Sequence, residues 1–126
     1  YAVRRGYKVC IISGGHGNLL RSRMERLGVT RMYLSCMDKI TAMNEFFADY
    51  DIDPATTIYM GDDIPDYEVM QIVGLPVCPA DAAVEIKQLS KYSSPICGGE
   101  GCGRDVIEQV MRAQGKWMDE ANAFGW

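Results

Sequence analysis

Apolar positions recur along this chain in two alternating rhythms: short continuous runs, and stripes at helical spacing. Lys8-Val9-Cys10-Ile11-Ile12 is a continuous run, as a strand buried on both faces of a parallel sheet requires. Leu20, Met24 and Leu27 then form the inward stripe of a helix that stops at Gly28. Arg31 to Leu34 reads as a second strand. Ile40, Met43, Phe46 and Phe47 mark a helix opened by Met37-Asp38-Lys39, with Asp38 as its N-cap. Asp53-Pro54 punctuates the loop before the run Thr57-Ile58-Tyr59-Met60, which ends at Gly61. Val69, Met70 and Val73 return to helical spacing. Gly74 to Pro79 is a short strand among prolines, and Asp81 is placed to cap a helix running to about Leu89. Tyr92 to Ser94 reads as a last short strand, and Val106, Ile107, Val110 and Met111 share one face of a final helix. Strand and helix signals in alternation predict an α/β fold with a doubly wound, mainly parallel sheet. Residues 1–117 form its core, and 118–126 follow as a tail.

The two ends of the chain add to this picture. Tyr1-Ala2-Val3-Arg4-Arg5-Gly6 reads as the last turn of a helix, basic at its end and closed by glycine. An amino-terminal strand and segment are therefore expected to precede Tyr1. Beyond Gln114-Gly115, the residues Trp117, Met118, Phe124 and Trp126 make the tail too apolar to be free in solvent, so it is expected to dock, for instance on a neighbouring subunit.

Charge and cysteine content narrow the function classes. The net charge is −4 and no lysine–arginine cluster interleaves with aromatics, which argues against nucleic acid as a partner. An acidic chain with an anionic substrate must hold it with local cations, metal or lysine. No apolar run approaches membrane-spanning length, and neither a signal peptide nor a membrane partner is expected. Five cysteines without a Cys-x-x-Cys pair suggest neither a disulfide framework nor a zinc site, and fit a cytoplasmic protein.

The candidate chemistry sits where strands end. After the first strand, Ser13-Gly14-Gly15-His16-Gly17-Asn18 offers a hydroxyl and free backbone N–H groups just before a helix, which suits an anion. The same residues also read as a plain glycine-rich turn, and His16 as a solvated side chain. Lys39 stands in the first turn of a helix, where a cation opposes the helix dipole, so it is either a surface residue or aimed at an anion. Gly61-Asp62-Asp63-Ile64-Pro65-Asp66 crowds three carboxylates that repel one another unless hydrogen-bonded, solvated or neutralised by a hard cation such as Mg²⁺. A strand's carboxyl end is where open α/β sheets bind ligands. Ser13, Lys39 and Asp62 converging at one sheet edge would supply what phosphoryl transfer needs. A later loop, Cys97 to Gly103, carries Glu100 among glycines too numerous to be mere spacing.

The order Ile-Ile-Ser-Gly-Gly, then Asp38-Lys39, then Gly61-Asp62-Asp63-Ile64-Pro65-Asp66 resembles motifs II, III and IV of the haloacid dehalogenase superfamily. End to end, the chain is similar to the capless branch that contains the 3-deoxy-D-manno-octulosonate 8-phosphate phosphatases. The Gly98-Gly99-Glu100-Gly101 loop and the closing Phe-Gly-Trp share in that likeness. The resemblance implies an Mg²⁺-dependent phosphatase acting on a small-molecule sugar-acid phosphate through an aspartyl-phosphate. It implies that Ser13 holds the phosphoryl group, Lys39 balances charge, Asp62 ligates the metal, and Asp63 and Asp66 support it. Gly14, Gly15 and Glu100 would contact substrate. It also implies a homotetramer whose tail covers a neighbour's site. The family's Asp-x-Asp lies on a first strand that these residues do not include; a native chain lacking it would be an inactive oligomerisation or regulatory relative. Gly15 and Glu100 depart from the commoner Arg, which leaves a related nonulosonate 9-phosphate as the alternative substrate. A receiver-type or nucleotide-binding module is disfavoured by the Lys39 spacing and the closing loop.

Overall fold

The computed structural model describes residues 1–120 and 123. Five short strands alternate with five helices: β1 (Cys10–Ile12), α1 (Asn18–Arg26), β2 (Arg31–Tyr33), α2 (Lys39–Tyr50), β3 (Ile58–Met60), α3 (Tyr67–Ile72), β4 (Leu75–Cys78), α4 (Val84–Leu89), β5 (Tyr92–Ser93) and α5 (Cys102–Ala113). Short 3-10 turns at Pro54–Thr56 and Ile64–Asp66 precede β3 and α3. Every strand pairing is parallel, as the alternation of elements requires.

The expected single sheet is divided. β1 pairs with β2 alone, and β3, β4 and β5 form a separate ladder with β4 in the middle. β4 has a partner on each side and is buried over three of its four residues, whereas β1 and β3 are only half-buried. The β1 run was expected to be buried on both faces; its unpaired edge explains the difference. What joins the ladders is a layer of helix side chains. Met43, Phe46 and Phe47 of α2 pack with Val69 of α3 and Val73, and Cys10, Ile12, Tyr33 and Tyr59 from both ladders press against them. A second cluster, Met70, Cys78, Ala82 and Ile86, lies under α3 and α4, and Tyr59 touches this one as well. Burying such side chains stabilises by roughly 1.5–3 kcal/mol each.

Local signals account for most of the elements. Asp38 caps α2 by accepting the Thr41 N–H at 3.0 Å. The opening turn donates Arg5 N–H to Tyr1 O at 3.0 Å and closes at Gly6 with φ +88°, the geometry of a helix end. Asp81 does not cap α4: the helix starts after Ala83, and the Asp81 carboxylate instead accepts the Gly98 N–H at 2.8 Å. Leu27 and Ile107 were assigned to inward stripes but are 52% and 39% exposed; Cys102, Val106 and Met111 carry the buried face of α5. No helix among the described residues is long and apolar enough to cross a membrane.

The tail begins against the chain's own opening turn. Arg5 pairs with Asp119 at 2.7 Å and with Glu120, and the Tyr1 and Trp117 rings meet edge-on at 5.8 Å. Phe124 and Trp126 lie outside the described residues.

Two consequences are measurable. Gly74 passes so close to the loop before β3 that a Cβ there would stand 1.9 Å from the Ala55 carbonyl oxygen. Gly74→Ala is expected to lower the unfolding free energy by about 3 kcal/mol in urea titrations, because backbone and not a movable side chain is in the way. The second concerns α5, which is fastened to β5 by Asp105. Its carboxylate accepts from Gln109 at 2.9 Å and from Ser94 and Tyr92 at 2.8 Å each, and these bonds, Gln109 foremost, hold its pKa below the ordinary value. A depressed folded-state pKa contributes stability above the unfolded value, and that contribution is lost as pH falls through the folded one. Acid unfolding below about pH 4 should therefore be less steep in Asp105→Asn than in the parent.

Candidate active site

The site grows from the end of β3. Alternation along the strand puts Tyr59 and Gly61 on the same face. A Cβ on Gly61 would come within 2.5 Å of the Asp66 Cβ and 2.6 Å of the Met70 sulfur, so the absent side chain is what lets Asp66 fold back over the strand. Asp66 is 3% exposed. Its Oδ1 accepts from the Lys39 ammonium at 2.6 Å and the Tyr59 hydroxyl at 2.7 Å, and its Oδ2 accepts from the Asp62 N–H at 3.2 Å. Burial by itself would raise the Asp66 pKa; the bonds from Lys39 and Tyr59 outweigh it and leave the group below its ordinary value. Burial, together with the Asp66 anion, pushes the Tyr59 hydroxyl upward, so it stays a proton donor.

Lys39 is thus aimed inward. Its side chain is 16% exposed, and α2 starts at this residue, with Asp38 capping just before it. The anion that offsets its unfavourable place on the helix dipole is Asp66, 27 positions away.

Ser13 reaches the same edge through backbone bonds between two loops. The Cys36 N–H donates to Ser13 O at 2.9 Å, and the Ser35 N–H to Gly15 O at 3.1 Å. Ser35 adopts a left-handed φ of +55°, and its hydroxyl shares a 2.6 Å hydrogen bond with His16 Nδ1. The Ser13 hydroxyl oxygen accepts the Gly15 N–H at 3.1 Å, while Gly14 and Gly15 stand exposed. The backbone bonds from Cys36 and Ser35 tie the Ser13 loop to the segment that leads into Lys39, and Lys39 in turn reaches Asp66 beyond the acidic loop.

The three carboxylates have separate duties. Asp66 is enclosed, and Asp63 turns back to accept the Ile64 N–H at 2.8 Å. Asp62 is exposed, with its carboxylate accepting no side-chain or backbone hydrogen bond among the described residues. Within those residues no three His, Cys, Asp or Glu side chains form a metal-binding group. A hard cation that keeps several waters and uses one or two carboxylates fits this donor set through Asp62. Among the described residues the Glu100 side chain makes no hydrogen bond or ion pair with Ser13, Lys39 or Asp62, and its loop is reached in two steps. Asp62 O accepts the Ala83 N–H at 2.9 Å, and Asp81 accepts from Gly98.

Sequence reasoning missed Tyr59, Ser35 and Cys36. Tyr59 had a readable signal, a hydroxyl-bearing ring on the same strand face as the glycine that opens the acidic loop. Ser35 and Cys36 had none, since their roles depend on the neighbouring loop.

Comparison with known proteins places this geometry. Residues 32–97 match the model of the haloacid dehalogenase-like hydrolases. The 3-deoxy-D-manno-octulosonate 8-phosphate phosphatase KdsC of Escherichia coli K12 is 36% identical over 120 residues, 95% of this chain and 63% of that protein. The chain thus spans less than two thirds of the length of this curated relative. The crystal structure of the same-named phosphatase from Yersinia pestis superposes with a TM-score of 0.88 at 36% identity, covering 91% of this chain and 62% of that one. A cobalt-bound deoxy-D-mannose-octulosonate 8-phosphate phosphatase from Haemophilus influenzae gives 0.88 at 27% identity, covering 99% and 74%. With its matched region spanning both the lysine and the acidic loop, this chain belongs to the haloacid dehalogenase-like hydrolase family.

Proposed function

We propose that this chain forms most of a divalent-metal-dependent phosphatase that hydrolyses the phosphate ester of a 2-keto-3-deoxy sugar acid, 3-deoxy-D-manno-octulosonate 8-phosphate being the leading substrate. The observation that carries this reading is the delivery of the Lys39 ammonium, through Asp66, to the loop that presents Asp62. A buried carboxylate fixes one of the ammonium's protons and leaves two for the oxygens of a phosphate. Ser13 adds a hydroxyl on the facing loop. The relatives, named as phosphatases of this ester, agree with this chemistry, and the cobalt in the Haemophilus influenzae protein agrees with a divalent cation.

In this reading Asp62 holds Mg²⁺, which supplies charge neutralisation at the phosphate when bound. Lys39 and Ser13 orient the phosphoryl oxygens and carry part of their negative charge as the ester bond breaks. Asp66 does no chemistry on the substrate; it holds the Lys39 ammonium in place, and Asp63 shapes the turn. The resemblance implies an aspartate nucleophile, with a second aspartate protonating the departing ester oxygen. The unpaired edges of β1 and β3, which exchange no backbone hydrogen bond and rest on one helix layer, are compatible with a strand carrying both residues between them. Glu100, at a position where octulosonate enzymes more often carry arginine, favours a nonulosonate 9-phosphate as the second candidate. We further propose a homotetramer in which the end of the tail, including Phe124 and Trp126, closes a neighbour's open site.

The complete protein should release phosphate from the octulosonate ester only with a divalent cation present. Asp62→Asn is expected to abolish this at limiting Mg²⁺, and Lys39→Gln, which retains a donor to Asp66, should slow turnover at least a hundredfold with the fold intact by circular dichroism. Near-normal rates in either variant would remove that residue from the mechanism, and a faster rate on the nonulosonate ester would reassign the substrate. Deleting residues 118–126 should lower kcat/KM for the sugar-acid ester far more than for p-nitrophenyl phosphate. Equal losses, or a monomer by light scattering, would exclude the tail's proposed role.

A further inference from the structure

The reading above gives work to Lys39, Asp62 and Ser13 and leaves one polar group at the centre of the site without a role. The Tyr59 hydroxyl lies 2.7 Å from Asp66 Oδ1, the same oxygen that takes the Lys39 ammonium. A carboxylate pivots about its Cβ–Cγ bond unless its two oxygens are told apart. At Asp66 they are: Oδ1 receives two donors from two different elements, and Oδ2 receives the Asp62 N–H at 3.2 Å. Tyr59 is the best anchored of these donors. Its ring packs against both core clusters, while Lys39 comes from a long flexible side chain and the Asp62 N–H from an exposed loop.

We propose that Tyr59 is a positioning residue: its hydroxyl locks the rotamer of Asp66, and through that carboxylate sets the Lys39 ammonium and the Asp62 backbone in a fixed relation to each other. The catalytic part of this inference rests on the phosphatase reading; the structural part does not. A tyrosine suits the task better than a second cation would. It satisfies the buried oxygen without competing for the phosphate, and it leaves Lys39 as the one full positive charge on Asp66. It also shares the load on Oδ1, so the ammonium is held by Asp66 without being enclosed by it. With phenylalanine in its place, Oδ1 keeps only the mobile lysine. Either oxygen can then turn toward Lys39, and the Asp62 N–H loses its partner for part of the time.

The experiment pairs Tyr59→Phe with Lys39→Gln in the complete protein and reads two signals. The first is amide hydrogen exchange, which needs no activity. Exchange at Asp62 should rise about tenfold in Tyr59→Phe, the size of one neutral hydrogen bond. Exchange at Gly61, whose N–H donates to Val77 O at 3.1 Å in the strand ladder, should not move. The second is a double-mutant cycle on phosphate release. Tyr59→Phe should slow kcat about tenfold alone and clearly less in the Lys39→Gln background, since the part of its influence that travels through the lysine is already lost there. Equal slowing in both backgrounds would overturn the proposal, as would unchanged exchange at Asp62. Faster exchange at Asp62 and Gly61 alike would also overturn it, by showing that the hydroxyl merely stabilises the strand. If the parent protein releases no phosphate, the phosphatase reading fails, and the exchange at Asp62 against Gly61 still decides whether Tyr59 governs this carboxylate.

Discussion

A carboxylate withdrawn from water keeps its charge only where donors surround it, and the whole edge of this molecule is arranged to supply them to Asp66. The lysine arrives from the start of α2, the hydroxyl from β3, and the amide from the loop that Asp66 itself helps to close. Removing the cation alone would strand a buried anion at a cost of about 3–5 kcal/mol. Such an ion pair adds little net stability compared with apolar packing, yet it strongly specifies geometry. Here it makes the first turn of one helix and the approach to the next a single rigid piece. Gly61 is the steric condition for that arrangement, because any side chain would occupy the space that Asp66 fills.

The parallel crossovers explain why three such distant loops meet. Each strand delivers its following loop to the same edge, so residues far apart in sequence share one small volume. Within that volume the charges are divided by burial. The enclosed acid is matched to the lysine, and the exposed acid at 62 remains open to a cation. Under the proposed function, an acidic protein receives an anionic ester without a broad basic surface, because attraction is concentrated in one ammonium and one proposed metal position.

Elements and motifs were legible in the sequence to the extent that their causes were local. The strand runs, the Asp38 cap and the glycine stop at Gly6 depend on neighbours within one turn, and each appears where its pattern put it. Lys39 was legible for a subtler reason: a cation in a first helical turn needs an explanation, and Asp66 provides it. Asp81 was misread because its competing partner, the Gly98 amide, comes from a loop that only the fold brings near. Leu27 and Ile107 sat at the margins of their stripes, where helical spacing cannot tell a core position from a half-covered one. Which strands pair, and where the sheet divides, was out of reach, since strand patterns report what a strand buries and not which strand lies beside it; only the expectation of a further strand before Tyr1 bears on the gap.

That division draws a line through the described residues that only side chains cross. Between these strands the described residues supply side-chain packing and polar ties such as Lys39 to Asp66, and no shared ladder. The line runs through the site: Ser13 and Lys39 belong to one bank, Asp62 and Tyr59 to the other. The placement of Lys39 relative to Asp62 therefore depends on how Met43 and Phe46 pack with Val69 and Val73 as well as on the polar ties. Substitutions deep in that apolar layer would shift the two loops against each other without touching a single polar group.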